Sequence, residues 1–243
     1  MNIHAVVTKI RTYILPAVLL ASGIALFASV WVIFHATPTE VSMGFVQKIF
    51  YFHLPPAILG YVGFTICCVA SIVYLVRPSV TADCVAQAGA AIGVLFCGMV
   101  LISGPLWAKK AWGQYWSGEP RLTLTLALFV IFVAYILVRS YGGTGALTRR
   151  IGAVLAIFGF ADIPLIRYAV TKWGGSHPPL ETGTRGGMSD EMWLTMRLSF
   201  IAFALLFASL FWLRLRLSLV SEAAESLHVE IGDRELLIED MSE

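Results

Sequence analysis

Six stretches of this 243-residue chain are each long and apolar enough to cross a lipid bilayer, and no other feature restricts its fold as strongly. The hydrocarbon layer is ~30 Å thick and a helix rises about 1.5 Å per residue, so one span takes about 20 mostly apolar residues. The stretches run approximately from Tyr13 to His35, Ala57 to Val76, Val85 to Trp107, Leu122 to Val138, Ile151 to Val170 and Met192 to Leu213. Asp162, Pro164 and Arg167 interrupt the fifth, which makes it the weakest. The period-2 alternation of a membrane barrel is absent. Following Lys9 and Arg11, the first run resembles a secretory signal, but its length exceeds the usual apolar core of a cleaved one and it reads as a retained anchor. The expected fold class is therefore all-α: a polytopic integral membrane protein with six transmembrane helices.

Composition agrees. Apolar and aromatic residues make up 58% and charged residues 13%, about half the ~25% charge of soluble domains, which excludes disordered, collagen-like and nucleic-acid-binding chains. A net charge of +2 expresses no overall preference for a charged partner, so any functional charge is local. Cys67, Cys68, Cys84 and Cys97 lie in or beside apolar runs without metal-ligand spacing and imply no disulfide framework.

With the N-terminus in the cytoplasm, six spans return the C-terminus there. Residues 1–12 and an acidic tail at 214–243 then flank a membrane domain at 13–213, and loops 36–56, 108–121 and 171–191 face outward. Lys and Arg divide nine inside to eight outside, so the positive-inside rule supports this orientation only through Lys9, Arg11 and the Arg149-Arg150 pair. Trp31, Trp107, Trp112, Trp116, Trp173 and Trp193 fall at or beyond outer span ends, with Trp212 alone at an inner end. An ordinary aromatic belt decorates both interfaces. Surplus cations and indole rings together mark the outer face as the place for a ligand.

The inner loops carry little chemistry. Tyr141-Gly142-Gly143-Thr144-Gly145 lacks the ending of a phosphate loop and reads as a flexible turn, so an ATP-driven step would need another chain. Gly89 and Gly93 stand at GxxxG spacing and predict the close approach of a neighbouring helix. The acidic tail reads as a solvated segment that could dock a cytoplasmic partner.

Two histidines lie in outer loops rich in aromatics. His53 sits in Phe50-Tyr51-Phe52-His53-Leu54-Pro55-Pro56, where the prolines predict an extended approach and a helix beginning at about Pro56. His177 precedes Pro178, which biases its backbone away from the helical region. Two imidazoles on stiffened chain, several aromatic rings and nearby cations at one membrane surface match a haem: imidazole suits iron, the porphyrin plane packs against indole and phenol rings, and propionates seek Arg or Lys. These features alone also fit two interfacial histidines bonded to water or headgroups. Zinc matches less well, needing Glu119 or Glu181 to complete its shell.

The segment from Ser103 to Thr123, SGPLWAKKAWGQYWSGEPRLT, resembles the tryptophan-rich signature of the haem-handling membrane proteins of cytochrome c maturation. Within that superfamily it is most similar to the haem exporter protein C (CcmC) family. That family's pattern, WGxWWxWDxRLT, is matched in register by Trp112, Gly113, Trp116, Arg121, Leu122 and Thr123. Tyr51, His53, Leu54 and Pro55 resemble its first histidine motif, and Trp173 followed by His177 its second. The resemblance covers roughly residues 40 to 215. In this chain Tyr115 replaces one tryptophan of the pattern, Gly118 another and Glu119 the aspartate, and Pro178-Pro179 stand where the family has glutamine and a small residue. One aromatic wall is therefore missing.

The resemblance implies that His53 and His177 are axial ligands of a haem carried as cargo. Trp112, Trp116 and Tyr115 would form a platform for the porphyrin, and Arg121 would pair with propionates, with Lys109, Lys110 and Arg185 as further candidates. It implies a non-enzymatic protein of the bacterial inner membrane that presents haem to a periplasmic chaperone (CcmE). The same complex would contain ATP-binding and membrane subunits (CcmA, CcmB) and a very small membrane protein (CcmD). A cytochrome c synthase subunit and a small-solute transporter are the alternatives. The first usually has more spans or a large soluble partner, and the second calls for inverted repeats and broken, polar midplane helices.

Overall fold

The computed structural model describes residues 3–174 and 188–240, with side chains for 13–169, 171–174 and 188–232. Among the described residues every regular element is helical: α1 (Ile3–His35), α2 (Phe50–Val76), α3 (Val80–Trp112), α4 (Pro120–Tyr141), α5 (Ala146–Phe160), α6 (Asp162–Trp173) and α7 (Asp190–Asp240). A short 3-10 helix, Phe45–Ile49, runs directly into α2. Six helical stretches are long and apolar enough to span a membrane, with α5 and α6 together making one of them.

The division within that stretch follows from Pro164, which has no N–H to give to the carbonyl of Phe160. The chain turns at Ala161, whose own N–H reaches the carbonyls of Ile157 and Phe158 at 3.3 and 3.2 Å. Other helices outrun their apolar stretches, α3 and α7 among them. α3 starts five residues before the expected Val85 and ends five after Trp107. At its start the Ser79 hydroxyl accepts from the Ala82 N–H at 3.2 Å, and Asp83 in the first turn complements the helix dipole. At its end Gly113 takes φ +80°, a left-handed cap available at little strain only to glycine. The expected loop at 108–121 therefore shrinks to 113–119.

α7 likewise continues 27 residues past Leu213, so most of the expected solvated tail is helix. No glycine or proline stands between Leu213 and Gly232, and Leu, Ala and Glu, all strong helix formers, fill much of that interval. The extension is also tied to the bundle. Asp83 of α3 accepts from Arg139 of α4 at 2.6 Å and from Arg149 of α5 at 2.9 Å, while Arg149 reaches Glu222 of α7 at 2.5 Å. Gln87 donates to the same Asp83 oxygen at 3.0 Å. Four helices are thus joined by one largely buried chain of charges.

α2 and α3 form the closest pair. A Cβ on Gly63 would lie 2.8 Å from the backbone of Gly93, and one on Gly89 would lie 2.8 Å from that of Cys67, so neither helix could approach this far with larger residues. The neighbour anticipated for Gly89 and Gly93 is α2. The antiparallel register continues through Gly60 against Cys97 and ends with His53 against Gly104. Beside it, Phe64 of α2 stacks on Phe132 of α4 with centroids 4.0 Å apart, in a core with Leu128, Tyr135 and Ala156. All four cysteines are buried and unpaired. α1 packs on α7, where Ser29 meets Ser199 at 3.0 Å, and just past the end of α1 Thr37 meets Thr195 at 2.8 Å. Such hydroxyl pairs hold helices together where both sides are apolar.

Candidate functional site

His53 lies in the first turn of α2, which begins at Phe50 rather than at the expected Pro56. Pro55 and Pro56 fall within the first two turns, where only the carbonyls of Tyr51 and Phe52 lose a helical partner, and the preceding 3-10 turn leads the chain in. The imidazole is half-buried. Its Nδ1 sits 2.9 Å from the Ser103 hydroxyl on α3, and that hydroxyl donates to the Met99 carbonyl at 2.7 Å. The ring edge rests against Gly104, where a Cβ would stand 3.2 Å from His53 Cε1.

The residues around His53 are held from three sides. Lys48, only 4% exposed, places its ammonium 2.7 Å from the Ile33 carbonyl and 3.3 Å from those of Phe34 and Thr37. The first two are carbonyls of the last turn of α1, which lack helical donors and carry the negative end of the dipole, and Thr37 follows that helix. A lysine counted among the surplus outer cations is therefore a buried helix cap. Tyr51 is fully buried against Ile33, Met192 and Met196, and Phe52 stacks on Phe34 at 6.0 Å. Just before the 3-10 helix, Glu40 accepts from the Met43 N–H and from Ser42 at 2.7 Å. The Met43 backbone bond, followed by the one from Ser42, holds this carboxyl below its usual range.

The tryptophan-rich segment divides between helix and loop. Trp107 and Trp112 are on the last turns of α3, edge to face with centroids 4.9 Å apart. Tyr115 and Trp116 are in the loop, 58% and 38% exposed. Lys109 donates to the Gly113 carbonyl at 2.9 Å and lies 5.2 Å from the centre of the Tyr115 ring, so its charge is spent on shaping this loop. Lys110 is exposed. Pro120 occupies the first position of α4 and Arg121 the next, half-buried and within electrostatic reach of Tyr61 and Glu119.

His35 is engaged by its own helix, its ring stacked on Trp31 at 5.3 Å with Nδ1 3.0 Å from the Trp31 carbonyl. His177, Glu181 and Arg185 lie outside the described residues. The segment that carries them leaves α6 after Trp173, whose ring meets Tyr168 edge-on at 6.4 Å. It re-enters the structure at Met188, which packs against the Tyr51 cluster. Among the described residues no three His, Cys, Asp or Glu side chains are grouped to hold a metal ion.

By the order of the helices, His53, the aromatic loop, Arg121 and both anchors of the segment containing His177 belong to the same end of the bundle. Ser103, Gly104 and Lys48 are the contributors that sequence reasoning missed or misassigned. Ser103 and Gly104 open the segment that resembles the tryptophan-rich signature, and that position is the only sequence signal that could have found them.

The family model described as Heme exporter protein C matches residues 3–230. The protein of that name from Bradyrhizobium diazoefficiens is 29% identical over 232 residues, 95% of this chain and 86% of the relative. Its counterpart from Rhodobacter capsulatus is 29% identical over 88% of this chain and 90% of the relative, and that from Escherichia coli 29% over 86% and 84%.

Proposed function

From the premise that the chain belongs to the haem exporter protein C family, and so to the proteins of haem export for cytochrome c maturation, we propose that its loop end binds haem at the outer surface of a bacterial inner membrane and passes it to a periplasmic haem chaperone. His53 and His177 are the two iron ligands in this reading. Trp112, Tyr115 and Trp116 face the porphyrin, and Arg121 supplies a cation for a propionate. Haem is cargo, so the site has to capture a poorly soluble ligand and still release it. Exchangeable imidazole ligands within an open aromatic rim suit that requirement. The chaperone corresponds to CcmE, and the companion subunits to CcmA, CcmB and CcmD.

The observation that carries the reading is the seat of His53. A lone interfacial histidine needs only water, whereas this ring is held by the Ser103 hydroxyl and rests on the Gly104 surface, on a helix that the buried Lys48 cap ties to the end of α1. Orientation of this kind is what a metal-binding imidazole requires. The test is the visible spectrum of protein purified from haem-replete cells, for the natural chain and for His53→Ala and His177→Ala. The natural chain is expected to show a Soret band that each substitution diminishes, together with loss of haem transfer to the chaperone. Equal Soret bands and equal transfer in all three proteins would refute the proposal.

A further inference from the structure

We propose that Ser103 is a positioning residue that selects the tautomer of His53, so that Nε2 is the nitrogen offered to iron. The inference rests on the reading of His53 as a haem ligand and assigns the atoms by which that ligand is prepared.

A serine hydroxyl has one proton. The Ser103 hydroxyl lies 2.7 Å from the Met99 carbonyl one turn earlier in α3, and a carbonyl only accepts, so the proton is directed there. The same oxygen lies 2.9 Å from His53 Nδ1 and meets it with a lone pair. Nδ1 must therefore carry the ring N–H. A neutral imidazole has one such hydrogen, which leaves the coordinating lone pair on Nε2.

Gly104 completes the seat, because its missing side chain admits the Cε1 edge of the ring to within 3.2 Å of where a Cβ would stand. Hydrogen bond and steric wall act on adjacent ring atoms and fix tilt as well as tautomer.

The choice of acceptor matters too. Metal-binding histidines commonly donate their other N–H to a carboxylate or a carbonyl, which strengthens the ligand. A hydroxyl is a weaker acceptor than a carboxylate. It orients the ring while adding little basicity, which fits a protein that must give its iron porphyrin away.

The experiment uses the full chain in nanodiscs with 15N-labelled histidine, comparing the natural protein with Ser103→Ala and Ser103→Thr. Threonine keeps a hydroxyl able to bond the carbonyl one turn back. In the haem-free proteins, the 15N shifts of His53 are expected to report the Nδ1–H tautomer for Ser and Thr and a shift toward Nε2–H for Ala. Titration with haem is expected to give roughly tenfold weaker binding for Ala, with Thr close to the natural protein. An Nε2–H tautomer in the natural protein, an unchanged Ala variant, or a Thr variant as impaired as Ala would each overturn the assignment. If the tautomers behave as expected while haem binds the natural chain and His53→Ala equally, the haem reading falls and the role of Ser103 toward the ring stands.

Discussion

Lys48 sets its ammonium 2.7 Å from the carbonyl oxygen of Ile33, capping α1 from the 3-10 turn that leads to His53. Its replacement by Met keeps the stem but leaves the carbonyls of Ile33, Phe34 and Thr37 without this donor. Losing charged hydrogen bonds to buried acceptors costs about 2 kcal/mol. Lys48→Met is therefore expected to lower the thermal unfolding midpoint in detergent. It should also weaken haem retention, because the turn that feeds α2 loses its tether. Lys48→Arg, which retains the charge, should fall between the two. A Met variant with unaltered melting would show that the cap contributes nothing.

Gly104 offers a more local probe. An alanine there puts a methyl group 3.2 Å from His53 Cε1, tighter than ordinary contact. The half-buried ring can tilt to relieve this, so the fold should survive while the ligand loses its orientation. We expect Gly104→Ala to keep the natural melting profile and to lose roughly tenfold in haem affinity, the scale of a perturbed outer-shell partner. The paired readout distinguishes the two effects, and natural affinity with natural stability would show that the ring tolerates the displacement.

At the opposite end, Asp83 accepts from both Arg139 and Arg149, and Glu222 draws in the extension of α7 through Arg149. Asp83→Asn removes the central negative charge from between two largely buried guanidinium groups. Breaking a buried ion pair from one side costs about 3 kcal/mol, so this variant should melt earlier and accumulate less. Glu222→Gln leaves the Asp83 pairs intact and should chiefly loosen the extension, seen as faster proteolysis beyond Leu213 with little change in bundle melting. Equal protease resistance would mean that the ion pair does not hold the extension.

Hydropathy makes the spans legible because lipid demands about 20 apolar residues whatever their order. It is blind to where helices stop. α3 runs on through Lys109 and Lys110 to a glycine cap, and α7 through an acidic stretch that propensity favours and Arg149 anchors. Local proline rules misplaced the start of α2, because Tyr51 and Phe52 find their packing on α1 and α7. The family's motifs single out His53, Trp112, Trp116 and Arg121 as candidates in one reading of the chain. Ser103 could not be tied to His53 that way, since fifty residues separate them and only the glycine-lined contact of α2 with α3 brings them together.

The aromatic loop tests whether exposure here serves a ligand. Tyr115 and Trp116 present much of their rings to the surroundings, so truncating Trp116 removes few internal contacts and should cost little stability. If the ring packs against a porphyrin, Trp116→Ala should nonetheless reduce retained haem and slow its transfer to the chaperone, because a large flat apolar surface is lost from the site. Tyr115→Trp should act in the opposite sense by restoring the indole that the family pattern has there. Its larger ring still lies within reach of the Lys109 ammonium, which already sits 5.2 Å from the Tyr115 ring, and tryptophan is the stronger partner for such a cation. Retention measured side by side should therefore rank Tyr115→Trp above the natural chain and Trp116→Ala below it. An unchanged order, with all three proteins equally folded, would place the porphyrin away from this loop.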